Sequence, residues 1–537
     1  MGKRLSGLVR VGITCIAGTF LSVNAAGAAD RLEAFVDLDS FVQYVQKLHK
    51  APFDREGAIL PPGGVAALAR QQSAARRFAP AITQYGNIQV TQDRNPWPKA
   101  EIAAAIDPSS PDNWVVMSND FRLNFDKMFF HVSSDGGKTW TDDSMVGGNN
   151  PLTGFIPSTF QSDPGLSFDL STNSYLSTLT GNLLVDFGAQ YENMDTEVDV
   201  AQGFANGTYA SLEPTAIDVQ PCSGVFSAFS CDATLDKPFV TTDIHPGSPK
   251  KGTTYVYYTL FCNAPQSGFC QDGTAKVPAG ASAILVSHSP GPGQPFTNPA
   301  LVSGSKLSAQ FSNMVVDLAG VPHIFFDDFT DFPTVRMWDS TLAGGKWVVS
   351  GKPAVTFAYN GLNNANWAFR DMATVAPGCA IHYYSAYCAF AASQVGSGPL
   401  ESTPSVYVVT VDVSSGGVAQ VVRVNNDAVN GQKHHFFPWA AATPQGNVYV
   451  GWYDDRNDRF NTKVDYFVGK STNGGKSFPK QQAVTDVSFN PCSGFPFCGF
   501  FGDYTQLVSG PDGVIHAAWA DTRDGASMQI WSQVVTW

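Results

Sequence analysis

From Gln84 onward the chain runs in short stretches rich in β-branched and aromatic residues, separated by Gly, Pro, Asn and Asp. That is the rhythm of strands and turns. The stretches recur as a unit of roughly 60–75 residues. Each unit opens with an inner strand, turns at Gly or Asn, and continues with an aromatic-rich strand that often ends in Asp. Inner strands are expected to begin near Glu101, Asp163, Lys237, Asn313, Met372, Pro438 and Asp503. Second strands are clearest at Trp114–Asp120, Val321–Asp328, Val448–Arg456 and Val514–Arg523. Seven units predict an all-β, seven-bladed β-propeller with four strands per blade, six blades being the alternative count. The last unit supplies three strands, so Asn87–Gln92 is expected to act as its outer strand and close the ring, leaving no sheet edge open. Ahead of it, Leu32, Phe35, Val36, Phe41, Val42, Val45 and Leu48 fall at helical spacing, and an Ala-rich stretch ends near Arg77. Residues 30–83 therefore read as a short helical N-terminal extension, and 84–537 as the propeller.

Ser133-Ser134-Asp135-Gly136-Gly137-Lys138-Thr139-Trp140 recurs as Ser471-Thr472-Asn473-Gly474-Gly475-Lys476-Ser477-Phe478, and in decayed form from Ser340 to Trp347. Such an octet suits a tight hairpin. The short acid or amide accepts backbone N–H bonds, Gly takes positive φ, and the aromatic packs the turn onto its blade. The octets fall between third and fourth strands. Loops that follow second strands, and those that lead into inner strands, must then project from the opposite face, the mouth. That face receives Asp120, Arg122, Asp163, Asp236, Lys237, Asp327, Asp328, Arg370, Asp371, His434, His435, Asp454, Asp455, Arg456, Asp503, Tyr504, Asp521 and Arg523. An Asp after an aromatic strand can equally be a turn cap or a partner to a neighbouring blade's Arg, and that alternative stands for Asp454, Asp521 and their arginines. Adjacent His434 and His435 point to opposite faces of a strand and do not suit a shared metal.

A net charge of −13 argues against nucleic acid as a partner and against anionic membrane surfaces. Residues 1–29 have the form of a secretory signal: Lys3, Arg4 and Arg10, an apolar run from Val11 to Val23, and Ala26-Gly27-Ala28. No later run is long and apolar enough to insert into a membrane, so a secreted or periplasmic monomer is expected. The remaining cysteines fall into four local pairs, Cys222/Cys231, Cys262/Cys270, Cys379/Cys388 and Cys492/Cys498. Export and closeness predict four short-loop disulfides, worth roughly 2–3 kcal/mol each in the chain-entropy model. No metal or other cofactor is called for, a structural calcium being the one exception left open.

The pattern Ser-x-Asp-x-Gly-x-x-Trp resembles the Asp box of sialidases and related bacterial-neuraminidase-repeat propellers, and the resemblance runs from about Gln84 to Trp537. Sialidases have six blades. They hold a substrate carboxylate with three arginines, attack with a Tyr helped by a Glu, and use an Asp as acid/base. A guanidinium fork matches a carboxylate, and a Tyr beside a carboxylate becomes nucleophilic. Carried over, the resemblance implies Arg122, Arg456 and Arg523 as substrate-binding cations with Asp454 and Asp521 beside them. It also implies Tyr504 as the phenol and Asp503 or Asp120 as the carboxylate. The chain departs from the family in lacking its Phe/Tyr-Arg-Ile-Pro motif, and none of the seven glutamates after the signal neighbours a late Tyr in sequence. Two function classes follow: a glycosidase or related glycan-processing enzyme, and a non-catalytic propeller that binds a glycan or a protein. The first requires a protonated carboxyl near an ionised one. The second is expected to show paired acids and an aromatic platform.

Overall fold

A computed structural model describes residues 86–92, 97–122, 126–145, 160–184, 193–204, 215–223, 230–263, 267–272, 275–429, 432–495, 498–525 and 527–537. The signal-like segment and the helical extension lie outside the described residues. Seven antiparallel sheets follow one another along the chain. Their inner strands are Lys99–Ile106, Phe160–Phe168, Ala233–Thr242, Ala309–Val316, Gly378–His382, His435–Ala442 and Gln506–Ser509. Each packs against the next, and the seventh against the first, so the blades form a closed ring. We number the blades 1 to 7 in that order. A separate hairpin, Phe269–Asp272 with Ala275–Pro278, is inserted in blade 3.

Ring closure comes from the strand predicted for it. Ile88 pairs with Ser532 and Gln89 with Trp531, and the Val90 N–H donates to the Ile530 carbonyl at 2.8 Å. The second strands Trp114–Asp120, Thr254–Cys262, Val448–Asp454 and Ile515–Asp521 are buried along their whole length. Each lies mid-sheet with blades on both sides, which explains their near-continuous apolar and aromatic content. Trp114, Trp452 and Trp519 are fully buried between blades.

The octets fold as tight turns. Asp135 Oδ1 accepts from the Ser133 hydroxyl and from the backbone N–H groups of Lys138 and Thr139, while Ser133 Oγ accepts from Gly137. Gly136 and Gly137 take φ of 73° and 85°. A Cβ on Gly137 would stand 2.7 Å from the Trp114 ring, so the site needs glycine for both space and φ. Trp140 then packs edge-on against Trp114 at 4.7 Å. Asn473 reproduces the turn in blade 6. Register places these turns at the ends opposite the mouth: Ser133 faces Trp114, and Ser471 faces Val448, where the second strands begin.

Blade 5 departs from the expected spacing. Met372 lies in a 3₁₀ turn, Met372–Val375, and the inner strand begins only at Gly378, after Pro377. Disulfides join Cys262–Cys270, Cys379–Cys388 and Cys492–Cys498. Cys222 and Cys231 stand opposite each other in register, and their side chains lie outside the described residues. Three such bridges fit an extracellular protein. Among the described residues no helix is long and apolar enough to cross a membrane.

Candidate active site at the propeller axis

The inner strands carry a repeated irregularity. Register breaks between Ala100 and Ile102, Ser162 and Gly165, Asp236 and Phe239, Gln310 and Ser312, and Phe436 and Trp439. Within each break one residue adopts left-handed φ: Glu101 (53°), Asp163 (55°), Lys237 (51°), Phe311 (52°) and Phe437 (49°). Such a conformation costs a non-glycine residue on the order of 1 kcal/mol or more. Pro follows in three of the five, where the bulge has already interrupted the ladder and no donor is missed. In blade 7 Gly502 (φ 86°) takes this role just before Asp503.

The bulges gather a charged cluster. Lys237 Nζ donates to Asp503 Oδ2 at 2.6 Å, to Asp163 Oδ1 at 2.7 Å and to Glu101 Oε1 at 3.3 Å. Arg370, from the loop leading into blade 5, grips Asp503 with Nε at 2.9 Å and Nη2 at 2.5 Å, and reaches Glu101 at 3.4 Å. Asn119 donates to Glu101 at 2.7 Å and accepts the Asp163 backbone N–H at 3.0 Å. Gln310 donates to Asp236 at 3.3 Å. The cluster thus spans blades 1, 2, 3, 4, 5 and 7. Glu101, Asp163, Lys237 and Asp503 keep side-chain exposures of only 1–5%, whereas Arg370 keeps 18%, so a ligand arriving at the mouth meets Arg370 first.

Four acids share two cations here, and the imbalance divides the carboxyls. Burial raises Glu101 well above the usual carboxylate range, and Asp163 and Asp503 add to the rise against the pull of Lys237. Burial likewise pushes Asp236 up to about 7. Burial alone would raise Asp503 too, but the Arg370 guanidinium and the Lys237 ammonium hold it down at about 2. Tyr504 is raised by burial and by the negative field of Glu101, Asp163 and Asp503; its hydroxyl donates to the Pro164 carbonyl at 3.4 Å. A narrow cavity beside the ammonium is walled by Phe239, Phe311, Trp439 and Tyr504, with Ser312 at its edge. It has room for about one water molecule.

Of the residues given a catalytic or substrate-binding role from sequence, the structure brings Asp503 and Tyr504 to this axis. The others sit at the mouth ends of their own blades. Arg456 donates through its backbone N–H to Asp454 Oδ1 and through Nε to Oδ2, both at 2.8 Å. Trp452 Nε1 adds a bond to Asp454 at 2.7 Å, and the guanidinium lies over Phe467. Asp521 and Arg523 repeat the clasp with Trp519 and Trp531, and Asp120 and Arg122 repeat it with Phe129. In blade 4 Thr330 takes the place of Arg on Asp328. Each of these clasps closes within one blade, between residues two apart, rather than onto the arginine of a neighbouring blade. Sequence reasoning placed Asp163, Asp236, Lys237 and Arg370 at the mouth without joining them, and read Glu101 only as the start of a strand. The usable signal was the residue that enters each inner strand just before Pro: Asp163, Lys237 and Phe437.

No family model matches the chain, and neither does any curated protein. Among solved structures it is similar to a Hadza microbial sialidase (11% identity, TM-score 0.39, covering 77% of this chain and 73% of that one). A GH93 α-L-arabinofuranosidase of Fusarium graminearum, in complex with arabinobiose, aligns at 12% identity and TM-score 0.41 over 84% and 97%. The NanB sialidase from Streptococcus pneumoniae aligns at 10% and 0.40 over 79% and 83%. Likeness this distant carries no argument about chemistry, so the case for the site rests on its own geometry.

Proposed function

We propose that this propeller is a secreted glycan hydrolase whose working centre is the axial cluster. The observation that carries the reading is a pair of buried carboxyls that meet around one ammonium and are pushed in opposite directions. Burial raises Glu101 well above the usual carboxylate range, while Arg370 and Lys237 hold Asp503 down at about 2. Both touch Lys237, so their nearest oxygens lie about 6 Å apart or less. Glu101, or Asp236 behind it, donates a proton to the glycosidic oxygen. Asp503 faces the positive charge that develops on the sugar ring, and Arg370 orients the substrate at the mouth. Tyr504 stands beside the same ammonium, its ring centre 5.5 Å from Lys237 Nζ.

The test is a screen of the purified protein against chromogenic glycosides, backed by a glycan array. Hydrolysis is expected, falling above about pH 7 as Asp236 loses its proton. Full turnover by both Glu101→Gln and Asp236→Asn would overturn the assignment of the proton donor. One observation favours the second reading, a non-catalytic glycan- or protein-binding propeller: the Lys237 ammonium stands between the carboxyls, where a reacting sugar carbon would sit. Tight binding on the array with no hydrolysis by the wild type would decide for it.

A further inference from the structure

Beside the axis, in the wedge between blades 5 and 6, lies a second ordered group. His434 Nδ1 donates to Asp455 Oδ2 at 2.6 Å, and the His434 backbone N–H donates to Asp455 Oδ1 at 2.8 Å. Asp455 is fully buried, so both its oxygens are committed to holding this one residue. With its proton on Nδ1 toward Asp455, and Asn364 Nδ2 3.5 Å from the same nitrogen, the imidazole offers Nε2 as an acceptor. Among the described residues no hydrogen bond is made to Nε2, and the side chain keeps 5% exposure. Trp367 stands edge-on to the ring at 5.3 Å, and the exposed Phe460 lies on the same rim, its carbonyl accepting from Asn366. The Cys492–Cys498 loop supports this wall through a bond from the Ala368 N–H to Cys498 Sγ. Three residues beyond Trp367, the same loop delivers Arg370 to the axial cluster. One loop therefore carries both the wall of the wedge and the arginine of the proposed centre.

We propose that His434 contacts the ligand: its Nε2 accepts a hydrogen bond from a sugar hydroxyl while the sugar ring lies along Trp367. The proposal rests on the glycan reading above and adds a subsite to it. A purely structural His–Asp pair would need Nδ1 alone, which makes His434→Asn the informative variant. Its side-chain amide replaces Nδ1 as the donor to Asp455 and leaves no atom at Nε2. Binding of arabinobiose and of sialyllactose to the wild type, to His434→Asn and to Asp503→Asn would be measured by calorimetry, with melting temperatures alongside. The expectation is that His434→Asn melts with the wild type and binds the preferred sugar at least 10-fold more weakly. Asp503→Asn should keep the affinity and lose turnover. His434→Gln, which keeps a polar atom near Nε2 but not near Nδ1, should lose stability before affinity. Wild-type affinity in His434→Asn overturns the contact and leaves the hydrolase reading standing. A wild type that neither binds nor cleaves either sugar overturns both.

Discussion

Lys237→Met removes the cation that three buried carboxyls share while keeping most of its volume. Lys237 is within 3.3 Å of Glu101, Asp163 and Asp503, and all four side chains are at least 95% buried. Breaking a buried pair from one side costs about 3–5 kcal/mol, because the remaining charge can neither reach water nor find a new partner. Arg370 still holds Asp503, so Asp163 and Glu101 bear most of the loss. The cost must depend on pH. A carboxyl whose folded pKa is raised contributes stability below its unfolded value of about 4 and loses it as pH rises toward the folded value. Without the ammonium Glu101 moves further in that direction. The deficit of the variant should therefore be small near pH 4.5 and reach about 3–5 kcal/mol at pH 8. Urea midpoints of the two proteins at both pH values, at one ionic strength and with unchanged slope, read the difference. Equal midpoints at pH 8, or a deficit larger at pH 4.5 than at pH 8, would show that Lys237 does not neutralise the cluster.

His435 donates Nδ1–H to the Pro404 carbonyl at 2.9 Å, and its Nε2 faces Asp427 at 3.2 Å and Asp454 at 3.4 Å. Asp454, then Asp427, raises its pKa against the opposing effect of burial. Its contribution is complete below about pH 6.5 and is lost as pH rises through the folded value, so His435→Gln should flatten the stability profile on that side only. A profile parallel to wild type above pH 6.5 refutes the charge on His435. Gly137→Ala should destabilise by about 1–3 kcal/mol from the clash with Trp114 and the strained φ, seen as a lower urea midpoint. A neutral result would show that the turn can shift. Deleting residues 1–92 removes the closing strand and exposes the edge of Gln529–Val535. Light scattering should show association, and a monodisperse monomer of unchanged stability would contradict closure.

Much of the fold was legible because propeller blades repeat local physics. The octet dictates its own turn, and Trp114–Asp120 or Val448–Asp454 show their burial in an unbroken apolar run. Even the closing strand followed from counting three strands in the last unit. Blade 5 was misplaced because Met372 continues an apolar pattern that Pro377 diverts into a 3₁₀ turn. The site was harder to read. Asp454, Asp521 and Asp120 look functional because they repeat beside arginines, yet that repetition is also a clasp rebuilt in blades 1, 6 and 7. Glu101, Asp163, Lys237 and Asp503 do not repeat. Glu101, Asp163 and Lys237 occupy one repeated backbone position, a bulge marked in the sequence only where Pro follows, Asp503 comes just after its equivalent at Gly502, and only the ring brings them together across more than 400 residues.

The account stands or falls on Asp503. Its carboxylate accepts from Lys237 and twice from Arg370, while burial, with Asp163 and Asp503 nearby, raises Glu101 beside it against the pull of Lys237 and Arg370. Asp503→Asn lets Glu101 ionise in its place, so the fold should survive with a modest loss of about 1–3 kcal/mol while the ionised partner of the acid is gone. Measured on the best glycoside from the screen, kcat should fall at least about 1000-fold, with substrate affinity within a few-fold of wild type. Wild-type kcat in a folded Asp503→Asn protein would contradict the claim that the axial cluster performs the chemistry.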